Sequence, residues 1–263
     1  LKKIKLIIAY DGTDFSGFQR QPEERTIQGT LEEALSQLTG EDVQIHGSGR
    51  TDAGVHATHQ VCHFQTSSPI PAEKYAYILR RMLPRDIVIR SSTEVDLDFH
   101  ARKSAYWKTY HYHIDTNPVP DIFRRRFRTH LPFPVDLDRM QQAGNQLIGT
   151  FDFTSFCSTK TIVTDRVRTI YHCQIVPEID GFYIQITGNG FLYNMVRIIA
   201  GTLYEVGRRE RSVSDIPNIL AATDRTLAGP TLPPEGLHLV KVGYEPWTEG
   251  SLSNTDTRRA EGF

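Results

Sequence analysis

The strongest constraint on how this chain folds is a break in its hydrophobic periodicity. Between about Asp98 and Pro134, Asn117-Pro118-Val119-Pro120 and a run of arginines interrupt the pattern. The order of strand-like and helix-like segments ahead of the break partly repeats after it, so the chain reads as two halves of related build. Ahead of it, Ile4-Lys5-Leu6-Ile7-Ile8-Ala9-Tyr10 is apolar and β-branched and stops at Asp11-Gly12, which predicts a strand. Ile27, Leu31, Ala34, Leu35 and Leu38 recur at helical spacing up to Gly40 and predict an amphipathic helix. A short strand near 43–46, a strand over 55–65, a helix over 72–82 and strands near 87–95 and 105–114 follow. Beyond the break, Leu137, Met140, Leu147 and Ile148 mark a helix that Asp136 or Asp138 caps. Strands over 169–179 and 182–187 are joined at Asp180-Gly181, a hairpin signal. Helices over 191–206 and 215–222 and a last strand over 239–244 complete the pattern. The predicted class is α+β with mainly antiparallel pairing. We expect an N-terminal α+β domain over residues 1–104, a C-terminal α+β domain over 105–246 and a disordered tail over 247–263. Two similar halves facing one another leave a central cleft.

A chain of 263 residues, 39% hydrophobic, suffices for a full core. No apolar run reaches bilayer length and no secretory segment opens the chain, so no membrane partner is expected and the expected address is cytoplasmic. Cys62, Cys157 and Cys173 are too few and too widely spaced for a disulfide framework or a zinc ribbon, and they read as small buried hydrophobes. The net charge is -1, but of 30 basic residues eight are lysines and so 22 are arginines, whose planar forks suit phosphate. Residues 99–130 concentrate seven cations, among them Arg124, Arg125, Arg126 and Arg128, against two carboxylates, with histidines and aromatics interleaved. Cations that track a backbone beside rings that stack on bases form the footprint of an RNA-loop binder; a solvated basic face is the other reading.

The densest cluster of chemistry is Gly47-Ser48-Gly49-Arg50-Thr51-Asp52-Ala53-Gly54. Asp52 stands where a dinucleotide loop needs its third glycine, and no Gly-Lys-Ser/Thr phosphate loop occurs, so both common nucleotide loops are rejected. What remains is a carboxylate two residues from an arginine in a close-approach turn. Either Asp52 is a reactive acid and Arg50 a contact to phosphate or base, or Asp52 caps the turn and Arg50 pairs with it. His56, His59, Cys62 and His63 invite a metal, but on a strand His56 and Cys62 face away from His59 and His63, so no metal site is expected. Tyr106, Lys108, Tyr110 and Tyr112 share one strand face whose polar-tipped rings suit a wet cleft; a sheet-edge aromatic stripe is the other reading. Arg197 lies among apolar neighbours and needs a partner if buried, Asp52 being one candidate.

Seven segments in order resemble the TruA family of tRNA pseudouridine synthases: Tyr10-Asp11-Gly12 with Gly17-Phe18-Gln19-Arg20-Gln21; Thr26-Ile27-Gln28; Gly49 to Ala57; Phe99-His100-Ala101-Arg102; Asp152 to Phe156; Phe191 to Arg197; and Glu235-Gly236-Leu237. Phe18 stands where tryptophan is common in the family and Asn194 where histidine is. The resemblance implies the pseudouridine synthase fold and isomerisation of uridine to pseudouridine at positions 38 to 40 of the anticodon stem-loop, by a homodimer acting on tRNA with no cofactor. It implies Asp52 as the catalytic aspartate, Tyr110 as the tyrosine on the target base, Arg197 as the arginine that pairs with the aspartate and lowers its pKa, and Arg50 as a residue holding the flipped-out nucleotide. Attack of Asp52 at C1′, attack at C6 and removal of the 2′ proton all remain open. Two other functions are carried beside this one: a non-catalytic RNA-binding protein, and a glycosidase-like hydrolase pairing Asp52 with Asp11 or Asp14.

Overall fold

In the computed structural model, residues 1–252 are described, and they divide into two compact units, Leu1–Tyr106 together with the chain from Leu239 on, and Trp107–His238. In the first unit β1 (Lys2–Tyr10) alternates as a half-buried strand should, with Ile4, Leu6 and Ile8 fully buried. Each such side chain contributes about 2 kcal/mol by leaving water. The next element, α1 (Ile27–Thr39), starts where the Thr26 hydroxyl accepts the Gly29 amide and stops at Gly40 in the left-handed region, φ +72°. Then come β2 (His46–Gly47), β3 (His56–Thr66), α2 (Lys74–Met82) and β4 (Ile87–Val95). The strand expected over 43–46 shrinks to β2. Val43 and Ile45 are buried, but their amides donate to the Ser36 hydroxyl and the Glu32 carboxylate of α1, and no ladder forms there.

The second unit opens with β5 (Trp107–Asp115), β6 (Thr129–His130) and α3 (Leu137–Asn145). Of the two caps expected for α3, Asp136 serves, accepting the Arg139 amide at 3.1 Å. After β7 (Gly149–Asp152), β8 (Val167–Glu178) and β9 (Gly181–Gly188) form the expected hairpin, with Glu178 opposite Gly181. Two helices follow, α4 (Met195–Gly207) and α5 (Asp215–Ala222). The helix expected from residue 191 starts at Met195 because Asn194 adopts φ +61°, which an α-helix does not continue through. The last strand is β10 (Leu237–Gly243), most of which lies in the first unit.

Within the first unit the strands run in the order β4-β1-β3-β10, with β2 also on β3; within the second they run β5-β9-β8-β7, with β6 on β5. The β1–β3, β1–β4, β2–β3, β5–β9, β7–β8 and β8–β9 pairs are antiparallel and the β5–β6 pair is parallel. The fold is therefore α+β with mainly antiparallel pairing, as expected. α3 packs on β8 and on α4, closing the second core over Met140, Ile198 and Leu203. Cys62, Cys157 and Cys173 are free and buried, as small hydrophobes are, and burial pushes the Cys62 and Cys173 thiols up to about 12. Among the described residues no helix is long and apolar enough to cross a membrane. The expected tail reaches into residues 253–263, outside the described residues, while Glu249–Leu252 forms a 3-10 turn.

Candidate active site

The Asp52 loop joins β2 to β3 and is held from several sides. Ser48 is fully buried, its amide donating to the Val61 carbonyl at 2.7 Å and its hydroxyl to Gln60, whose own amide donates to the Gly49 carbonyl. The Thr51 carbonyl accepts the Phe18 amide at 3.0 Å, and the Thr51 hydroxyl bonds the buried Tyr10 hydroxyl at 2.8 Å. Gly17, at φ +89°, passes so close that a Cβ there would lie 2.8 Å from the Thr51 carbonyl oxygen. The turn closes with the Val55 amide donating to the Asp52 carbonyl at 3.2 Å. These bonds use backbone groups and the side chains of Tyr10, Ser48, Thr51 and Gln60. They present a half-buried Asp52 side chain beside an exposed Arg50.

A second layer supports this loop. Gly12 approaches β3 so closely that a Cβ there would sit 2.0 Å from the Val55 carbonyl oxygen. His56 Nδ1 lies 3.0 Å from the Gly12 amide nitrogen and 3.3 Å from Asp11 Oδ1. Burial disfavours the charged Asp11, but His56 together with the Thr13 amide and hydroxyl outweighs it and holds the carboxyl well below the usual carboxylate range. A carboxylate so held is ionised at neutral pH and does not serve as a proton donor there. The depressed pKa makes Asp11 stabilising above the unfolded-state value of about 4, with that stability lost as pH falls toward the folded value. Asp11→Asn should therefore lower stability at neutral pH, and the gap to the parent should narrow steadily in urea melts at pH 7, 4 and 2.5. A gap that does not change with pH would rule out the assigned role of Asp11.

In the second unit Tyr110 lies on β5 opposite Ile186 of β9, 7% exposed, with the Phe191 ring edge-on at 5.1 Å. Tyr112 corrects the wet-cleft expectation. It is fully buried, and its hydroxyl bonds the Thr129 hydroxyl and the Pro233 carbonyl, so it belongs to the core. Arg197, on the first turn of α4, is half-buried, and its guanidinium donates to the Leu232 carbonyl at 2.6 Å and to Asn194 Oδ1 at 2.9 Å. Asn194 thus both sets the start of α4 and orients Arg197, a role its position alone did not show. In the arginine run, Arg124, Arg125 and Arg126 are exposed, with Arg124 also on Asp180 at 2.9 Å. Arg128 turns inward instead, its side chain 15% exposed and 3.0 Å from Glu178.

The histidines form two groups that sequence reading did not foresee. The rings of His46, His63 and His100 cluster with centroids 4.9 to 5.6 Å apart, His46 stacked on His63 and His100 edge-on to His63, and burial lowers His63 to about 4. His111 bonds Gln185 and stacks on Tyr183, and burial lowers it to about 3. His56 belongs to neither group. The buried His63 and His111 rings act here as neutral core aromatics.

A family model described as tRNA pseudouridine synthase matches residues 6–102 and 143–245. The chain is 54% identical over 244 residues to tRNA pseudouridine synthase A of Brevibacillus brevis, covering 93% of this chain and all of that protein. It is 50% identical over 245 residues to the protein of the same name from Geobacillus kaustophilus, covering 93% and 95%. With that of Halalkalibacterium halodurans it shares 46% over 258 residues, covering 98% and 97%. The matched ranges take in the Asp52 loop, the Phe191 to Arg197 segment and all of α4.

Proposed function

The chain belongs to the tRNA pseudouridine synthase family, and from that premise we propose that it isomerises uridine to pseudouridine at positions 38 to 40 in the anticodon stem-loop of tRNA, with Asp52 starting the reaction. The observation that carries this is the Asp52 loop itself, a half-buried carboxylate on a turn fixed by Tyr10, Gly17, Phe18 and Gln60. A carboxylate held by its backbone needs little reorganisation when a nucleotide arrives. The C1′–N1 bond breaks, the uracil turns, C5 bonds to C1′, the C5 proton leaves and N1 gains one, so substrate and product are isomers and no redox partner or water is consumed. Asp52 serves as the ionised group, whether at C1′, at C6 or on the 2′ proton.

Tyr110, braced by Phe191, stacks on the target uracil. Arg197, oriented by Asn194 and Leu232, contacts the substrate. Exposed Arg50 holds the nucleotide once it has left its stack, offsetting part of a cost of a few kcal/mol. Arg124, Arg125, Arg126 and Arg128 belong to the tRNA-binding surface and meet its phosphates, Arg128 from a side chain that also pairs with Glu178. The working form is a homodimer in the cytoplasm. Unmodified tRNA incubated with the protein, then mapped by carbodiimide treatment and primer extension, should show new stops at the anticodon stem-loop, and light scattering on the same preparation should read two copies. tRNA that is bound but unmodified would sink the proposal and leave a binding protein. Stops elsewhere in the tRNA would overturn the assigned site.

A further inference from the structure

The loop over residues 157–166, which leads from the 3-10 turn Thr154–Phe156 into β8, has a composition unlike the surface around it. Lys160, Arg166 and, on β8, Arg168 stand against one carboxylate, Asp165. At its tip Ile162 is 94% exposed, an apolar side chain uncovered amid cations. The loop is fastened to the segment that precedes α4. Ser158 donates its amide to the Tyr193 carbonyl at 3.0 Å. Thr169 donates to Asn189 Oδ1 at 2.9 Å and accepts the Asn189 amide at 3.0 Å. The Arg168 side chain lies over Gly190, its Nε 3.5 Å from where a Cβ would be. Loop and segment therefore form one piece of the second unit, which ends in the half-exposed Tyr193 ring and, through Phe191, braces Tyr110.

Building on the function proposed above, we infer that this piece is an RNA-holding surface for the unstacked nucleotides flanking the target uridine: Tyr193 stacks on a neighbouring base, Ile162 covers a second, and Lys160 and Arg166 take the phosphates between them. An extruded uridine leaves its neighbours unstacked, and they need faces and charge beside the residue that receives it. A ring presented on fixed backbone accepts any base, because every base has a π-face, so this surface grips loops of differing sequence. The Tyr193 carbonyl, not its ring, anchors the loop, so the ring can be removed without releasing Ser158.

The test measures binding of unmodified tRNA and of the isolated anticodon-arm hairpin by anisotropy, alongside single-turnover product formation. Tyr193→Ala should weaken binding of both RNAs about tenfold, while Tyr193→Phe, which keeps the ring, should stay within about twofold. Lys160→Gln should reduce the slope of log Kd against log salt by about one. The rate at saturating tRNA should stay within about threefold of the parent. Unchanged affinity in Tyr193→Ala and Lys160→Gln would overturn the inference. So would a change confined to self-association, which would make the loop a protein contact. If the parent makes pseudouridine while the variants bind normally, this surface alone fails; if the parent binds but forms no product, the proposed activity fails and the binding comparison still stands.

Discussion

Asp52→Asn should lower the single-turnover rate of pseudouridine formation by about 10⁴-fold or more, with tRNA binding within about threefold of the parent and thermal stability nearly unchanged. Asparagine keeps the shape of the side chain and removes its negative charge, and each route open to Asp52 needs an anion to attack carbon or take a proton. The bonds of the Thr51 carbonyl and hydroxyl, the Asp52 carbonyl and the Gly49 carbonyl are untouched by the change, and asparagine fills the same space. Binding survives because it rests on cations and rings elsewhere. Carbodiimide mapping after rapid quench, paired with anisotropy on the same preparation, separates the two quantities. Activity within tenfold of the parent would remove Asp52 from the chemistry and return it to the role of a turn residue.

The second large effect should come from a single methyl group. Gly12→Ala puts a Cβ 2.0 Å from the Val55 carbonyl oxygen, a backbone atom that cannot swing aside as a side-chain end does. The strand entrance must shift, at a cost of about 3 kcal/mol, which in a chain this long lowers Tm by roughly 6 to 12 °C. Activity should fall even where the variant is still folded, since Val55 also closes the Asp52 turn through its amide. Calorimetry and turnover at 20 °C check both halves. A Tm within 2 °C of the parent would mean that the close approach is slack.

Where local pattern and local packing agree, the elements stand where the sequence puts them: β4 at Ile87–Val95 and α5 at Asp215–Ala222 match their expected bounds. The departures come from partners far along the chain. Val43 and Ile45 look like strand residues, yet α1 side chains take their amides. Tyr112 looks like a cleft residue, yet its hydroxyl finds Thr129 and Pro233. Arg128 reads as one of four alike until Glu178, fifty residues on, turns it inward. The candidate site divides the same way. Asp52 and Arg50 are legible because glycine, acid and cation fall within one turn. Tyr10, Gly12 and Gly17 are visible as motifs but not as supports, because only folding brings them against Thr51 and Val55.

The return of β10 to the first unit fixes an order of events at the ribosome. β2 pairs early with β3 at His63 and Cys62, but the rest of the β3 edge that faces away from β1 stays bare until nearly the whole polypeptide has emerged, since β10 is made only after every helix of the second unit. The later-made unit can thus finish folding before the earlier one, and a nascent chain cut short before Leu239 displays an open sheet edge of the kind that recruits chaperones or other unfinished chains. The sheet of the unit that carries the Asp52 loop is thus completed only when the last strand is in place.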